Sequence, residues 1–341
     1  MAEISVAILG LGRLGASIGL ALKRYSSQSS ANHQFKITGY GKGTNVDTAQ
    51  KLGAIHTTVR SAAEAVRGKD VIVVALPYAE VAAVYPYIAP DVRAGAVILD
   101  FSPLKQQALQ WAKQHLPAET YAIGMQPIVN PRYLFDSVDE TERASADLFD
   151  QGMMLVTPNV NALPAAVELA MDFGQLVGAT SRFIDPAEHD SLNAAMEGLP
   201  TLIALAYFRT IAHNQGWDDL QKLTNPAFGA ITRPLFDTHP DDLRDQWLHN
   251  RDSLLHYTDQ LIAQLRELRR AVADQDSIGL ESAVVDAAHR YEKWYNRRYK
   301  NQWDKQSIPE PENLPTVMST LFGNYIANKL RRKPNKEETQ D

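Results

Sequence analysis

Cysteine does not occur in this 341-residue chain, so disulfides, thiolate chemistry and cysteine-held metal are excluded, and no metal site is expected. Long hydrophobic runs are also missing: nothing approaches the roughly 20 apolar residues that a membrane-spanning helix needs. The start, MAEISVAILG, lacks the basic flank and the apolar core of a secretory leader. These absences lead to the expectation of a soluble, cytoplasmic protein. Positive charge is in short supply, with 34 Lys and Arg against 40 Asp and Glu for a net charge of -6. A phosphate backbone would find no basic surface, so nucleic acid is not an expected partner.

What is present is ample apolar side chain, 45% of residues, in a chain longer than one core usually holds. Two domains are expected. The organising stretch is Val6 to Tyr25, VAILGLGRLGASIGLALKRY. Val6-Ala7-Ile8-Leu9 reads as a buried strand that must turn at Gly10. Leu14, Ile18, Ala21, Leu22 and Tyr25 then recur at helical spacing, placing one face of a helix back on the sheet. Gly10, Gly12 and Gly15 fill the places of G-x-G-x-x-G: a tight turn, close approach of backbone to pyrophosphate, and close helix-strand contact. The N–H groups of the new helix and its dipole make an anion site, so a dinucleotide diphosphate belongs here.

The second strand, Phe35 to Tyr40, runs into Gly41-Lys42-Gly43-Thr44-Asn45. An enzyme choosing NAD usually carries an acid here for the ribose hydroxyls. This chain has Gly41, followed by Lys42, Thr44 and Asn45, a set able to hold a 2′-phosphate, and Arg13 in the glycine loop can add a second positive charge. NADP is therefore the preferred cofactor and NAD the alternative. Further strands, Asp70 to Pro77, Ala96 to Asp100, Tyr121 to Gly124, Met153 to Val156 and Thr180 to Ile184, alternate with helices, the signature of a mostly parallel sheet. Ligands of such sheets sit beyond the carboxyl ends of the strands, which puts Leu76, Pro77, Ser102 and Gln126 at the site. The expected cofactor contacts are Gly10, Gly12, Arg13, Leu14, Gly15, Lys42, Thr44, Leu76 and Pro77.

Strand signals cease near Asp185. The expected division is a nucleotide-binding domain over 1–185, a helical domain over 186–330 broken by loops near Asn225 to Pro240, and a charged, disordered tail over 331–341. Leu254, Leu261, Leu265, Leu268 and Val272 form a seam suited either to a subunit interface or to packing within the chain. Tyr291, Trp294, Tyr295 and Tyr299 interleave with basic residues; at helical spacing in an acidic protein this reads as a packed aromatic face rather than a platform for bases.

Several stretches resemble, in order, one family. ILGLGRLGASIGLAL, VVALP, D-x-S-x-x-K at Asp100 to Lys105, Glu188-His189-Asp190, Leu199-Pro200, and Thr232-Arg233 with Trp247 and Asn250 are similar to the prephenate/arogenate dehydrogenases of tyrosine biosynthesis. The resemblance runs from about Ser5 to Phe322. It implies a Rossmann domain followed by an all-helical dimerisation domain of the 6-phosphogluconate dehydrogenase C-terminal-like kind, with substrate in the cleft between them and a homodimer as the working unit. It also implies oxidative decarboxylation, in which hydride leaves the hydroxyl-bearing ring carbon for the nicotinamide, the ring carboxylate departs as CO2, and the ring becomes aromatic.

The chain departs from the family at its proton-handling residues. Where the family has Gly-His-Pro, this sequence has Met125-Gln126-Pro127, and an amide cannot take a proton near neutral pH. The family's serine falls at Pro103, with Ser102 one place earlier. The family's Ser-His-Leu-Pro-His matches Glu197-Gly198-Leu199-Pro200-Thr201, so both histidines are missing and an acid enters. Arg233 matches the family's carboxylate-binding arginine. His189 matches too, and reads either as a hydrogen-bonded histidine at the domain junction or as a displaced base. The candidate catalytic set is Gln126, Ser102, Arg233 and His189. Three functions remain open: a family dehydrogenase with a rearranged acid/base apparatus, an NADP-dependent oxidoreductase of another small hydroxy or imino acid, and a non-catalytic dinucleotide sensor.

Overall fold

The computed structural model describes residues 2–136, 140–159 and 162–300. The chain divides into two compact units, 1–259 and 260–341. In the first, β1 (Ala2–Leu9) leads to α1 (Arg13–Ser26), β2 (His33–Tyr40), α2 (Asn45–Lys51), β3 (Thr57–Thr58), α3 (Ala62–Val66), β4 (Val71–Val74) and α4 (Tyr78–Ile88). There follow β5 (Val97–Asp100), α5 (Lys105–His115), β6 (Tyr121–Ile128), β7 (Met153–Pro158), α6 (Pro164–Leu176) and β8 (Thr180–Phe183). Every described element after β8 is helical: α7 (Pro186–Asn193), a π-helical turn (Ala194–Gly198), α8 (Leu199–Ala212), α9 (Trp217–Leu220), α10 (Pro226–Asp237), α11 (Pro240–His249), α12 (Arg251–Ala273) and α13 (Ser277–Lys300).

The eight strands form one sheet in the order β3-β2-β1-β4-β5-β6-β7-β8. All neighbours are parallel except β6 and β7. The apolar runs read as buried strands because both faces are covered. Val6, Ile8, Ile37, Val73 and Leu99 pack with Ile18 and Leu22 of α1 on one face. Ala7, Leu9, Ile72, Val74 and Ile98 pack with Val81, Tyr85 and Ile88 of α4 on the other. Each such fully buried aliphatic side chain contributes about 1.5–3 kcal/mol.

Two expectations change. β6 does not stop at Gly124: Met125, Gln126 and Pro127 continue it, paired with Val156, Leu155 and Met154 of β7. The antiparallel partner, invisible in local sequence, supplies the missing ladder, so Gln126 stands in a strand and not in a loop beyond it. The segment Asn225 to Pro240, expected as loops, contains α10. Pro226 occupies the first turn, where no N–H is needed, and Phe228 packs 6.1 Å from Tyr207 and 6.3 Å from Phe208 of α8. The helix continues through Pro234 in its interior.

The second unit carries the rest of the leucine seam. Leu265 is 54% and Val272 63% exposed within the single chain. On α13, Tyr291 stacks on Tyr295 at 6.3 Å and Tyr295 lies 4.3 Å from Tyr299; the Tyr299 hydrogen bond pushes the Tyr295 hydroxyl up to about 12. The connector Ser307 to Pro315, the segment Val317 to Leu330 and the tail from Arg331 lie outside the described residues.

Candidate active site

The turn after β1 demands glycine. Gly10 has a φ of 98°, in the left-handed region, and a Cβ there would overlap the Ala75 carbonyl oxygen and approach Leu76 N at 3.0 Å. This contact sets Leu76, and Pro77 after it, beside the loop. Gly15 lies so close to the turn that a Cβ would overlap the Gly10 carbonyl oxygen. The start of α1 is thereby pressed against the carboxyl end of β1. Gly12 is its N-cap, with φ -64° and ψ -175°, and neither a capping side chain nor a first-turn acid competes for the N–H groups around Leu14. Free N–H groups, a bare glycine face and the helix dipole fit a dinucleotide diphosphate.

The 2′-phosphate set is less free than the sequence implies. Arg13 is 6% exposed, donates from Nη2 to Asp136 Oδ2 at 2.9 Å, and lies 5.2 Å over the Tyr133 ring. The sequence offers it as a second positive charge for the ribose phosphate; in the structure Asp136 matches that charge from within. Lys42 is mostly exposed and donates to Glu80 Oε2 at 2.7 Å, a bond that raises its pKa. Thr44 caps α2 without a side-chain hydrogen bond.

At the end of β5 the polar groups are buried and tightly joined. Asp100 receives the Tyr85 hydroxyl on one oxygen and the Ser102 N–H at 2.7 Å on the other; burial pushes the Tyr85 hydroxyl far above its ordinary value. Ser102 Oγ is buried and has no hydrogen-bond partner among the described residues. Lys105 opens α5 with a Leu104 N-cap that offers no side-chain oxygen. Its own N–H and that of Gln106 instead donate to Asp190 of α7, at 2.7 and 2.9 Å. The Lys105 ammonium donates to the carbonyl oxygens of Ser102 and, at 2.7 Å, Met125. Ser102, the residue before Gln126, and the neighbour of His189 therefore meet around one lysine.

His189 is 3% exposed, and its Nδ1 donates to Asp190 Oδ1 at 3.0 Å. Burial lowers its pKa. The ring braces Asp190 and is enclosed, an arrangement that suits the hydrogen-bonded alternative. Gln126 is half-buried in β6. Arg233 donates from Nε to both Asp237 oxygens, at 3.0 and 2.9 Å, on a helix packed against α8; no hydrogen bond joins it to the Lys105 cluster among the described residues. Glu197 lies in the π-helical turn, a form frequent at functional sites; desolvation raises its pKa.

Sequence reasoning missed the carboxylates that fasten the helical segment. Asp242 of α11 accepts the Ala79 N–H of α4 at 2.7 Å, just as Asp190 caps α5. Tyr78 OH meets His249 Nδ1 at 2.9 Å, and Asn250 Nδ2 donates to the Asp190 carbonyl at 2.6 Å. The available signal was a lack: neither Pro77 nor Leu104 can cap the helix it precedes.

Residues 18–183 match the family model for the prephenate dehydrogenase nucleotide-binding domain, and residues 185–284 that for the prephenate dehydrogenase dimerization domain. The chain belongs to the prephenate dehydrogenase family. It is an NAD(P)-dependent dehydrogenase with a Rossmann-type sheet and a helical C-terminal part. It is 26% identical to a prephenate dehydrogenase of Bacillus subtilis over 81% of this chain and 72% of that one. It is 24% identical to a cyclohexadienyl dehydrogenase of Zymomonas mobilis over 80% and 89%. The fold matches a prephenate dehydrogenase from A. aeolicus, solved with hydroxyphenyl propionate and NAD+, at a TM-score of 0.72, 19% identity, and coverage of 86% and 99%. It matches a Synechocystis arogenate dehydrogenase at 0.63, 17% identity, and coverage of 85% and 100%. Among the described residues no helix is long and apolar enough to cross a membrane.

Proposed function

We propose that this chain catalyses the oxidative decarboxylation of arogenate or prephenate in tyrosine biosynthesis, as a cytoplasmic homodimer, with NADP preferred. The observation that carries the reading is the Ser102 hydroxyl, buried and unpartnered at the carboxyl end of β5, on the same sheet edge as the uncapped start of α1. A buried hydroxyl is costly unless something satisfies it, and the substrate hydroxyl is a group of matching chemistry.

When bound, NADP supplies the hydride acceptor. The chain's own part is to bind and orient. Gly10, Gly12, Leu14 and Gly15 seat the diphosphate, while Leu76 and Pro77 line the nicotinamide side. Ser102 and Gln126 hydrogen-bond the substrate hydroxyl. Gln126 holds that oxygen without taking its proton, and with His189 enclosed the proton passes to water at the half-exposed Gln126. Arg233, its Nη nitrogens not used by Asp237, takes a substrate carboxylate. Glu197 has no cationic partner among the described residues, which suits the ammonium of arogenate better than the keto group of prephenate. The exposed seam of Leu265, Leu268 and Val272 supports a homodimer, in keeping with the dimerization-domain match.

The test is formation of NADPH or NADH by the purified protein with arogenate and with prephenate, each with NADP and NAD. Turnover is expected, faster with arogenate, and Gln126→His should raise kcat at least about tenfold by restoring a base. No turnover in a sample that binds NADPH would sink the reading and point to a different hydroxy or imino acid.

A further inference from the structure

Lys105 has no assigned part in the reaction, yet the structure invests in it at every atom. Its backbone N–H is capped by Asp190. Its stem passes over Gly124, where a Cβ would come within 3.0 Å of Lys105 Cδ. Its ammonium is fully enclosed, at 0% exposure, and bonds the carbonyl oxygens of Ser102 and Met125. A charge in such a place is expensive, and a methionine would fill the same volume without that cost. Burial brings its pKa down to about 8, with Asp100 and Asp190 opposing the fall.

The two carbonyls show what the charge achieves. The Met125 carbonyl shares one rigid peptide plane with the Gln126 N–H, so fixing that oxygen fixes the backbone from which the Gln126 amide extends. The Ser102 carbonyl is fixed in the same way, while the Ser102 N–H is held by Asp100 at 2.7 Å, leaving the Oγ as the polar group of that residue with no partner among the described residues. One ammonium thus joins the end of β5 to the middle of β6, which pairs onward with β7 but shares no ladder hydrogen bond with the β5 side beyond Asp100 and Gly124.

We propose that Lys105 is a positioning residue, which places the Ser102 hydroxyl and the Gln126 amide relative to each other by clamping the carbonyls of Ser102 and Met125. The role rests on the dehydrogenase reading above. Deprotonation alone does not release the clamp, because the neutral amine retains two N–H donors for its two carbonyls.

The test is a double-mutant cycle on the full chain with arogenate and NADP as probes. Lys105→Met is expected to lower kcat about 30-fold while KM and the Kd for NADPH, read by NADPH fluorescence, stay within threefold. Ser102→Ala should lower kcat about tenfold in the parent and less than twofold in Lys105→Met, since a misplaced hydroxyl has little left to lose. Lys105→Gln, whose amide reaches one carbonyl, should fall between the two. Losses that multiply independently would overturn the proposal, as would an NADPH Kd that weakens in step with kcat. A kcat limb near pH 8 in the parent that disappears in Lys105→Met would assign proton transfer to Lys105 and also overturn it. Failure of both Lys105 variants to fold, with Ser102→Ala folding normally, would leave a purely structural residue. Parent protein that turns over neither arogenate nor prephenate would fail the function itself, whereas an active parent with an additive cycle fails the clamp alone.

Discussion

Of the helices that begin at the carboxyl edge of the sheet, α1, α4 and α5 are finished in two different ways. α1 starts at Gly12 with no capping side chain, whereas α4 and α5, preceded by Pro77 and Leu104, borrow carboxylates from Asp242 and Asp190 far along the chain. The physics is the same in each case: the first-turn N–H groups need an acceptor and the dipole favours an anion. The difference lies in who provides it. At α1 no side chain supplies it, and the function proposed above assigns it to the cofactor diphosphate; at α4 and α5 it fastens the helical segment to the same edge. On the proposed function one edge serves both as binding site and as anchorage, and mutation is expected to separate the two uses.

The largest effect is expected at the ligand end. The Gly12 backbone, at φ -64° and ψ -175°, is open to any residue, so Gly12→Val should fold while its side chain occupies the place of the diphosphate. NADPH affinity by calorimetry should fall at least about 100-fold, roughly 3 kcal/mol, with the melting temperature within a few degrees of the parent. Undiminished affinity would remove Gly12 from the site. The anchorage end should show the reverse. Asp190→Ala uncaps two N–H groups and leaves the buried Lys105 with Asp100 as its one remaining neighbouring carboxylate, for a loss of about 3 kcal/mol, or roughly 6–12 °C in melting temperature. Asp242→Ala, which uncaps one N–H, should cost about 1 kcal/mol. Both should bind NADPH within about threefold of the parent, and a variant that lost affinity without losing stability would merge the two uses.

That contrast also explains what was legible beforehand. The glycine loop, the strand segments and the switch to helices at Asp185 are written in local pattern, because a buried parallel strand must be apolar throughout and a left-handed turn favours glycine. The anchorage was not legible. Nothing near Leu104 in sequence indicates that Asp190 will cap the helix that follows it, since the pairing exists only once α7 folds back. The same limit affected Gln126, whose strand depends on β7, and Arg13, whose charge is matched by an aspartate 123 positions away. His189 is enclosed beside Asp190, and that enclosure depends on packing that no spacing rule reports.

The smallest effect concerns the choice between NADP and NAD, and here the ligand end itself is divided. Gly41 removes the acid that would repel a 2′-phosphate, but Lys42 already spends its charge on Glu80 at 2.7 Å, and Arg13 is turned to Asp136. An exposed pair of this kind is worth at most about 1 kcal/mol, so the gain from exchanging Glu80 for a phosphate is of that order. Lys42→Ala should therefore weaken NADPH about fivefold and NADH less than twofold at low salt, and the difference should shrink at 0.5 M salt as screening takes hold. Glu80→Gln should act in the opposite direction, releasing Lys42 and tightening NADPH about twofold to threefold. Equal losses for both nucleotides in Lys42→Ala would make the lysine a bystander, and the preference for NADP would then rest on Gly41 alone, which tolerates a phosphate without attracting one.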